Sequence, residues 1–354
     1  MSAPSTTRYE AEGLRGFALA LLQASGLAPG IAVDVADVLV EGDLLGHDTH
    51  GLQLLAGYLD QLAGGQMTRD GAPDVVTERA SVATWDGRRL PGPHLVRRAV
   101  AWASARARAH GAATVAIRRC HHIACLAAYL EQPARDGLMV LIASSDPATA
   151  SVAPFGGTTA VYTPNPIAVG IPTSSLPVLI DISASITTNG MTNRLHAAKA
   201  RGANPWWLDS DGRPTDDPSV LHASPPGTLM PLGGPDAGHK GYGLALTIEA
   251  LTAGLAAHGR ADPPEGWGAT VWVQVYDPEA FGGGAGFLRQ SDWLVDACHG
   301  SAPADPSRPV RLPGERGLGR KQAQLRDGVM LREGIMEGLL PWGERLGVSP
   351  PPAR

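Results

Sequence analysis

Apolar positions in the first sixty residues recur at helical spacing. Leu14, Phe17, Ala18, Leu21 and Leu22 fall at i, i+3, i+4, i+7 and i+8, one face of a helix that Gly26 and Pro29 close. Ile31, Val35, Val38 and Leu39 repeat the pattern, and Leu52, Leu55, Ala56 and Leu59 give a third helix closed by Gly64-Gly65. The break between the second and third helices, Gly46-His47-Asp48-Thr49-His50-Gly51, is polar and rich in protonatable groups, with Thr49 or Asp48 placed to cap the third helix.

Further along, the pattern alternates. Residues 82–85 and 114–117 read as strands around an Ala- and Arg-rich helix at 93–109, and 123–131 reads as a short helix. Residues 138–143 form a continuous apolar run expected to be a strand buried on both faces. Residues 167–171 and 178–182 read as strands between prolines, 202–238 as mostly loop, and 241–255 as a helix. Val271, Val273 and Val275 alternate as a strand. The last sixty residues read as helical and polar, after a linker marked by Pro303, Pro306 and Pro309. Strand–helix–strand order predicts an α/β layer architecture. The division expected is an N-terminal helical region, 1–70, with helices of 312–348 packing nearby, and an α/β region, 71–311.

Composition narrows the class. At 354 residues the chain has material for two domains; its 44 glycines and 30 prolines, about a fifth of it, suit a loop-rich globular protein. A net charge of −5 argues against non-specific nucleic-acid binding. No apolar run is long enough for a membrane span, and MSAPSTTRYE lacks the apolar core of a secretory signal, so the expectation is a soluble cytoplasmic protein. Cys120, Cys125 and Cys298 are too few for a disulfide framework and lack zinc-site spacing. There is no G-x-G-x-x-G after a strand, no G-x-x-x-x-G-K-[ST] and no G-x-S-x-G.

Five clusters carry candidate chemistry. In His47-Asp48-Thr49-His50 an imidazole is a natural proton donor to a nascent alcohol, with a hydroxyl and a carboxylate beside it; a helix cap with surface histidines, or two metal ligands at i, i+3, are the other readings. Cys120-His121-His122-Ile123-Ala124-Cys125-Leu126 follows a strand end, where α/β sheets bind ligands, or is a connecting loop. Pro164-Asn165-Pro166 presents a fixed amide, for example to a carboxamide, or is a rigid turn. Gly238-His239-Lys240-Gly241 is an anion pocket or a glycine-rich lead into a helix. Asp181 ends an apolar strand, either functional or held by backbone donors.

The order of these clusters resembles one family. His-Asp-Thr-His-Gly with Tyr58, then His-His-Ile-Ala, Pro-Phe-Gly-Gly (154–157), Pro-Asn-Pro-Ile-Ala (164–168), Ile-Asp-Ile-Ser (180–183), Pro-Leu-Gly-Gly (231–234), His-Lys-Gly-Tyr-Gly (239–243), Asp-Pro-Glu-Ala-Phe (277–281) and Leu-Pro-Gly-Glu-Arg (312–316) together resemble the malate/L-lactate dehydrogenase-type oxidoreductases across about residues 10–345. That family includes ureidoglycolate and sulfolactate dehydrogenases and piperideine-2-carboxylate reductases.

The resemblance implies a non-Rossmann α/β fold, a mixed sheet with flanking helices, and a homodimer with its site near the subunit interface. It implies hydride transfer between NAD or NADP and a small 2-oxo acid, 2-hydroxy acid or imino acid. It implies His50 as general acid/base with Thr49 and Asp181 as relay partners. Cofactor contacts are implied at His122, Ile123, Ala124, Cys125, Leu126, Pro164, Asn165, Pro166, His239, Lys240, Gly241, Gly314, Glu315 and Arg316, and substrate contacts at Leu54 and Tyr58. No metal is implied. Leu54 departs from the family, which has an arginine there for the substrate carboxylate; either the substrate lacks a free carboxylate beside its carbonyl, or another arginine, Arg118 or Arg119, supplies the charge. His121 stands where Asn is common, Ala124 where Gly is common, and Thr49 where Ser is usual. Two rival functions are a metal-dependent hydrolase using His47 and His50, and a family member that binds ligand without turnover.

Overall fold

The computed structural model describes residues 7–354. The N-terminal periodicity becomes α1 (Ala11–Ala24), α2 (Pro29–Leu45) and α3 (Leu55–Ala63), with Leu14, Leu21, Leu39, Leu55 and Leu59 wholly buried. Pro29 opens α2 at a position where its missing N–H has no helical partner, and Gly46 ends it in the left-handed conformation, φ 88°. Seven strands form one mixed sheet: β1 (Asp74–Glu78), β2 (Val82–Asp86), β3 (Ala112–Cys120), β4 (Met139–Ser145), β5 (Pro166–Ile171), β6 (Val178–Ser183) and β7 (Ala269–Tyr276). The order is β1-β2-β3-β7-β4-β5-β6, parallel only between β2 and β3.

The interior strands of the sheet are buried on both faces. On one face Val271, Val273 and Val275 of β7 join α1–α3 and α4 (Gly92–His110) in the larger core. On the other, Trp272 joins Ala143, Trp207, Ala245 and Ile248. Five strand ends share one edge, since Ala269 pairs with Cys120, Thr270 with Ser145, and Pro166 with Ser183. The site forms along that edge.

Three elements differ from the pattern-based expectation. Residues 123–131 are not one helix: the chain runs without regular structure to Cys125, makes a 3₁₀ turn, Leu126–Tyr129, and then the short α5 (Glu131–Arg135). Edge strand β1 is solvent-exposed along its length, and its two apolar residues, Val75 and Val76, are adjacent and do not alternate. The helix expected at 241–255 is α7 (Gly234–Glu249) with a π-helical extension, Ala250–Gly254. Its Gly241 is a close-packing residue, since a Cβ there would lie 2.4 Å from the backbone of Leu232. Unmarked by periodicity is α6 (Asn189–Ala197), whose buried residue is Thr192. Downstream lie α8 (Gly284–His299), α9 (Glu315–Asp327) and α10 (Ile335–Leu346). Gln324 of α9 donates to the carbonyls of Asp43 and Leu44, tying α9 to the end of α2.

Candidate functional site

The loop 46–51 is built by close backbone approach. A Cβ on Gly42 would sit 2.9 Å from the carbonyl oxygen of His50, and one on Gly51 would sit 2.5 Å from the carboxylate of Asp43. Asp43 lies beneath the loop and accepts from the Leu52 N–H at 2.7 Å. Burial pushes its carboxyl up to about 7, against the pull of that hydrogen bond. Asp48, also buried, is held from outside by Arg320 at 3.4 Å and by Arg332. The loop is thus pinned at both ends before His50 is placed.

His50 Nδ1 shares a 2.8 Å hydrogen bond with Thr49 Oγ1. Its ring stacks against that of His122, centres 5.9 Å apart and 25° from parallel. Burial first, then the charges of His47 and Arg194, press the His50 pKa down to about 4, so the imidazole is neutral at pH 7.

His122 is fixed by three contacts. Ala124 N–H donates to its Nδ1 at 3.2 Å, the Tyr58 hydroxyl lies 3.0 Å from Nδ1 and donates to the His122 carbonyl oxygen at 3.0 Å, and the Trp267 ring lies 4.8 Å away. A backbone N–H can only donate, so Nδ1 accepts and Nε2 carries the proton. Burial, with His50 and His121 nearby, holds His122 well below the usual imidazole range.

Asp181, on β6, accepts from Ala127 N–H at 2.9 Å and lies 4.0 Å from Cys125 Sγ. Burial raises its pKa and the charge of His47 opposes the rise. His47, Cys125 and Asp181 bring their donor atoms within 4.8 Å of one another. Among the described residues Asp181 makes no hydrogen bond to His50; the imidazole beside it is that of His47. The pair read as metal ligands from the sequence, His47 and His50, is likewise divided: His47 belongs to this cluster and His50 to Thr49.

These groups line a cleft of about 1040 Å³. Of the positions named from the sequence, His50, Thr49, Asp181, Leu54, His122, Ile123, Ala124, Cys125, Leu126, Pro164, Asn165, Pro166, Gly314 and Arg316 all border it. Others do not. Tyr58 is wholly buried behind His122. His239 and Lys240 are exposed on α7, with Gly241 packed inside it, because this segment is helix interior rather than a lead into a helix. Glu315 binds His299 at 2.6 Å and caps Leu312 N–H at 3.1 Å.

The amide of Asn165 is used internally. It donates to Glu249 at 2.9 Å and accepts from Thr163 at 2.7 Å, so only the surrounding backbone faces the cleft. Asn165 and Ala124 both hold a left-handed backbone, φ 46° and 58°. Asn tolerates that region, and at 124 it is a conformation that costs an alanine and suits glycine. Arg194, Arg320, Arg332 and Trp267 border the cleft without having been singled out in the sequence. For the three arginines the one signal was the missing cation at Leu54; nothing in the sequence pointed to Trp267.

The profile described as malate/L-lactate dehydrogenase matches residues 9–340. The chain is 34% identical over 316 residues to the (2R)-3-sulfolactate dehydrogenase (NADP(+)) of Chromohalobacter salexigens, covering 87% of this chain and 89% of that protein. It is 30% identical over 346 residues to an L-lactate dehydrogenase of Cupriavidus necator, covering 96% and 98%. The solved delta1-piperideine-2-carboxylate reductase of Pseudomonas syringae superposes with a TM-score of 0.82 at 26% identity, covering 95% of this chain and all of that one.

Proposed function

The chain belongs to the malate/L-lactate dehydrogenase family, and from that premise we propose the roles of its cleft residues. It is an NAD(P)-dependent oxidoreductase of small hydroxy acids. We assign His50 as the general acid/base, Thr49 as its orienting partner, and the backbone of 122–127, 164–166 and 313–314 as the dinucleotide bed. The observation that carries this is the placement of His50: a neutral imidazole, tethered through Nδ1, in a cleft at the upper end of the roughly 300–1,000 Å³ range of ligand pockets.

The donor set fits a dinucleotide. The cleft offers backbone groups along one sheet edge, the ring of Trp267, and the exposed cation Arg316 for phosphates, in place of a glycine fingerprint. When bound, the reduced nicotinamide supplies the hydride. In its protonated form His50 gives a proton to the developing alkoxide and is left neutral; in the oxidative direction the neutral imidazole takes that proton. Thr49 holds the ring so that Nε2 meets the substrate oxygen. The Nε2–H of His122 adds a neutral donor beside His50. Asp181 supports this arrangement through His47, the imidazole it lies beside.

We read the active form as a cytoplasmic homodimer. Among the described residues no helix is long and apolar enough to cross a membrane. Helix α8 buries none of its own residues and leaves Trp293 67% and Leu294 58% exposed, with Phe281 67% exposed at its foot, a face that suits a second copy. Lys240, outside its own cleft, fits a role toward a second protomer.

The test is NADH and NADPH oxidation against a panel of 2-oxo acids and cyclic imines, with His50→Ala beside the wild type. General acid–base catalysis is worth roughly 10²–10⁴-fold. A loss in that range with nicotinamide binding intact supports the assignment; a loss under about tenfold removes His50 from it.

A further inference from the structure

Resting on the reading above, one requirement of the reaction stays unmet. A 2-oxo or 2-hydroxy acid brings a carboxylate beside the reacting carbon, and position 54 offers leucine. Arg118 and Arg119 do not supply the charge: they pair with Asp86 at 3.0 Å and Glu265 at 3.1 Å and lie outside the cleft. Of the four arginines that border it, Arg320 and Arg332 are bound to Asp48, and Arg316 is exposed beside Gly314.

Arg194 differs. Its helix, α6, starts with Thr188 accepting from Met191 N–H at 3.1 Å. Gly190 in the first turn packs on the His50 loop, where a Cβ would lie 3.3 Å from Thr49 Cβ. Residue 194 is one turn further along the same face, and helical side chains lean back toward the preceding turn. The guanidinium is therefore carried toward Thr49 and His50, close enough for its charge to bear on the His50 imidazole. It is half-buried, and its Nη2 is shielded from solvent with no hydrogen-bond partner. A guanidinium nitrogen shielded from solvent and without a partner, in the cleft that holds His50, has a hydrogen bond to give to an acceptor.

We infer that Arg194 binds the carboxylate of the 2-oxo or 2-hydroxy acid, the role that the family resemblance assigns to an arginine at position 54. Its planar fork suits a carboxylate. The pairing also couples substrate to catalyst. A carboxylate on Arg194 offsets the positive charge that disfavours protonated His50, so arrival of the anionic substrate readies the imidazole to hold the proton it donates. An uncharged analogue lacks that effect.

The experiment compares kcat/KM for a 2-oxo acid accepted by the wild type with that for its methyl ester, in wild type, Arg194→Ala and Arg194→Lys. NAD(P)H affinity by nicotinamide fluorescence and the thermal midpoint are read in parallel. The expected result is an acid-to-ester ratio lowered about 10- to 100-fold in Arg194→Ala, an intermediate ratio in Arg194→Lys, and unchanged NAD(P)H affinity. A ratio within about twofold of wild type in Arg194→Ala overturns the inference. If Arg194→Ala does not fold, the same ratio unchanged in Arg194→Lys overturns it, because lysine cannot reproduce a two-point contact. A wild type that oxidises neither NADH nor NADPH with any acid of the panel removes the functional reading itself, and this inference with it.

Discussion

The Tyr58 hydroxyl reaches both ends of His122, 3.0 Å from its ring Nδ1 and 3.0 Å from its own carbonyl oxygen. The residue sits behind the cleft, so its influence on chemistry passes through the imidazole it orients. Tyr58→Phe keeps the buried ring and deletes only the hydroxyl. The expected cost is about 1–2 kcal/mol, read from denaturant unfolding, because the carbonyl of His122 loses its donor. Turnover should fall less than in His50→Ala, and nicotinamide binding should change little. A Tyr58→Phe enzyme with wild-type stability would show that the hydroxyl is not a buried anchor.

Gly51 gives a steric prediction. A Cβ there would lie 2.5 Å from the Asp43 carboxylate, which also receives the Leu52 N–H, so neither partner can retreat without losing that bond. Gly51→Ala is expected to destabilise by about 2–3 kcal/mol and to displace the His50 loop. Gly243→Ala is the control, since nothing lies within 4 Å of its Cβ position. Equal unfolding midpoints for the two variants would contradict the packing described for the loop.

What the sequence disclosed and withheld follows from physical causes. His50 and Thr49 were legible because a polar tetrapeptide interrupts two strongly periodic helices. Strands β2–β7 were legible because each carries apolar residues for a sheet whose interior strands are covered on both faces. β1 was not, being an exposed edge strand with sequence DVVTE. Helix α6 was not, since NGMTNRLHA buries a threonine rather than an apolar stripe. Arg194 sits on that unmarked helix, and only the want of a cation at Leu54 hinted at it. Gly241 read as the first residue of α7 and not as its interior because its reason, contact with the backbone of Leu232, is tertiary.

His121 gives the pH prediction. It is wholly buried, its Nδ1 has no partner, and burial with the charge of Arg89 lowers its pKa to about 3. The sign follows from proton uptake. Below pH 6.5 the unfolded chain protonates this histidine while the folded chain resists until about 3, so stability is lost as pH falls through that window. His121→Asn removes the loss. At pH 5 the variant should gain about 2 kcal/mol relative to its difference from wild type at pH 8, from unfolding curves at the two pH values. A difference that does not change with pH would place His121 in a wetter setting than its burial implies.

Leu54→Arg tests the division of labour between positions 54 and 194. Leu54 borders the cleft four residues after His50, so an arginine there would bring a second guanidinium to a site where Arg194 already bears on the imidazole. In the wild-type background the added charge has no anion of its own before substrate arrives, and it disfavours protonated His50 further. Reductive kcat/KM is expected to fall, by up to about tenfold, and the pH at which the acidic form of the enzyme is titrated should move down. In the Arg194→Ala background the same substitution meets a carboxylate lacking a partner. There it is expected to recover about tenfold or more of the acid-to-ester discrimination, one charge-assisted hydrogen bond's worth. The opposite signs of one substitution in two backgrounds set this apart from a general effect on folding. If Leu54→Arg instead raised activity on 2-oxo acids about tenfold with Arg194 in place, the site would have been lacking its cation all along, and Arg194 would have no part in holding the substrate.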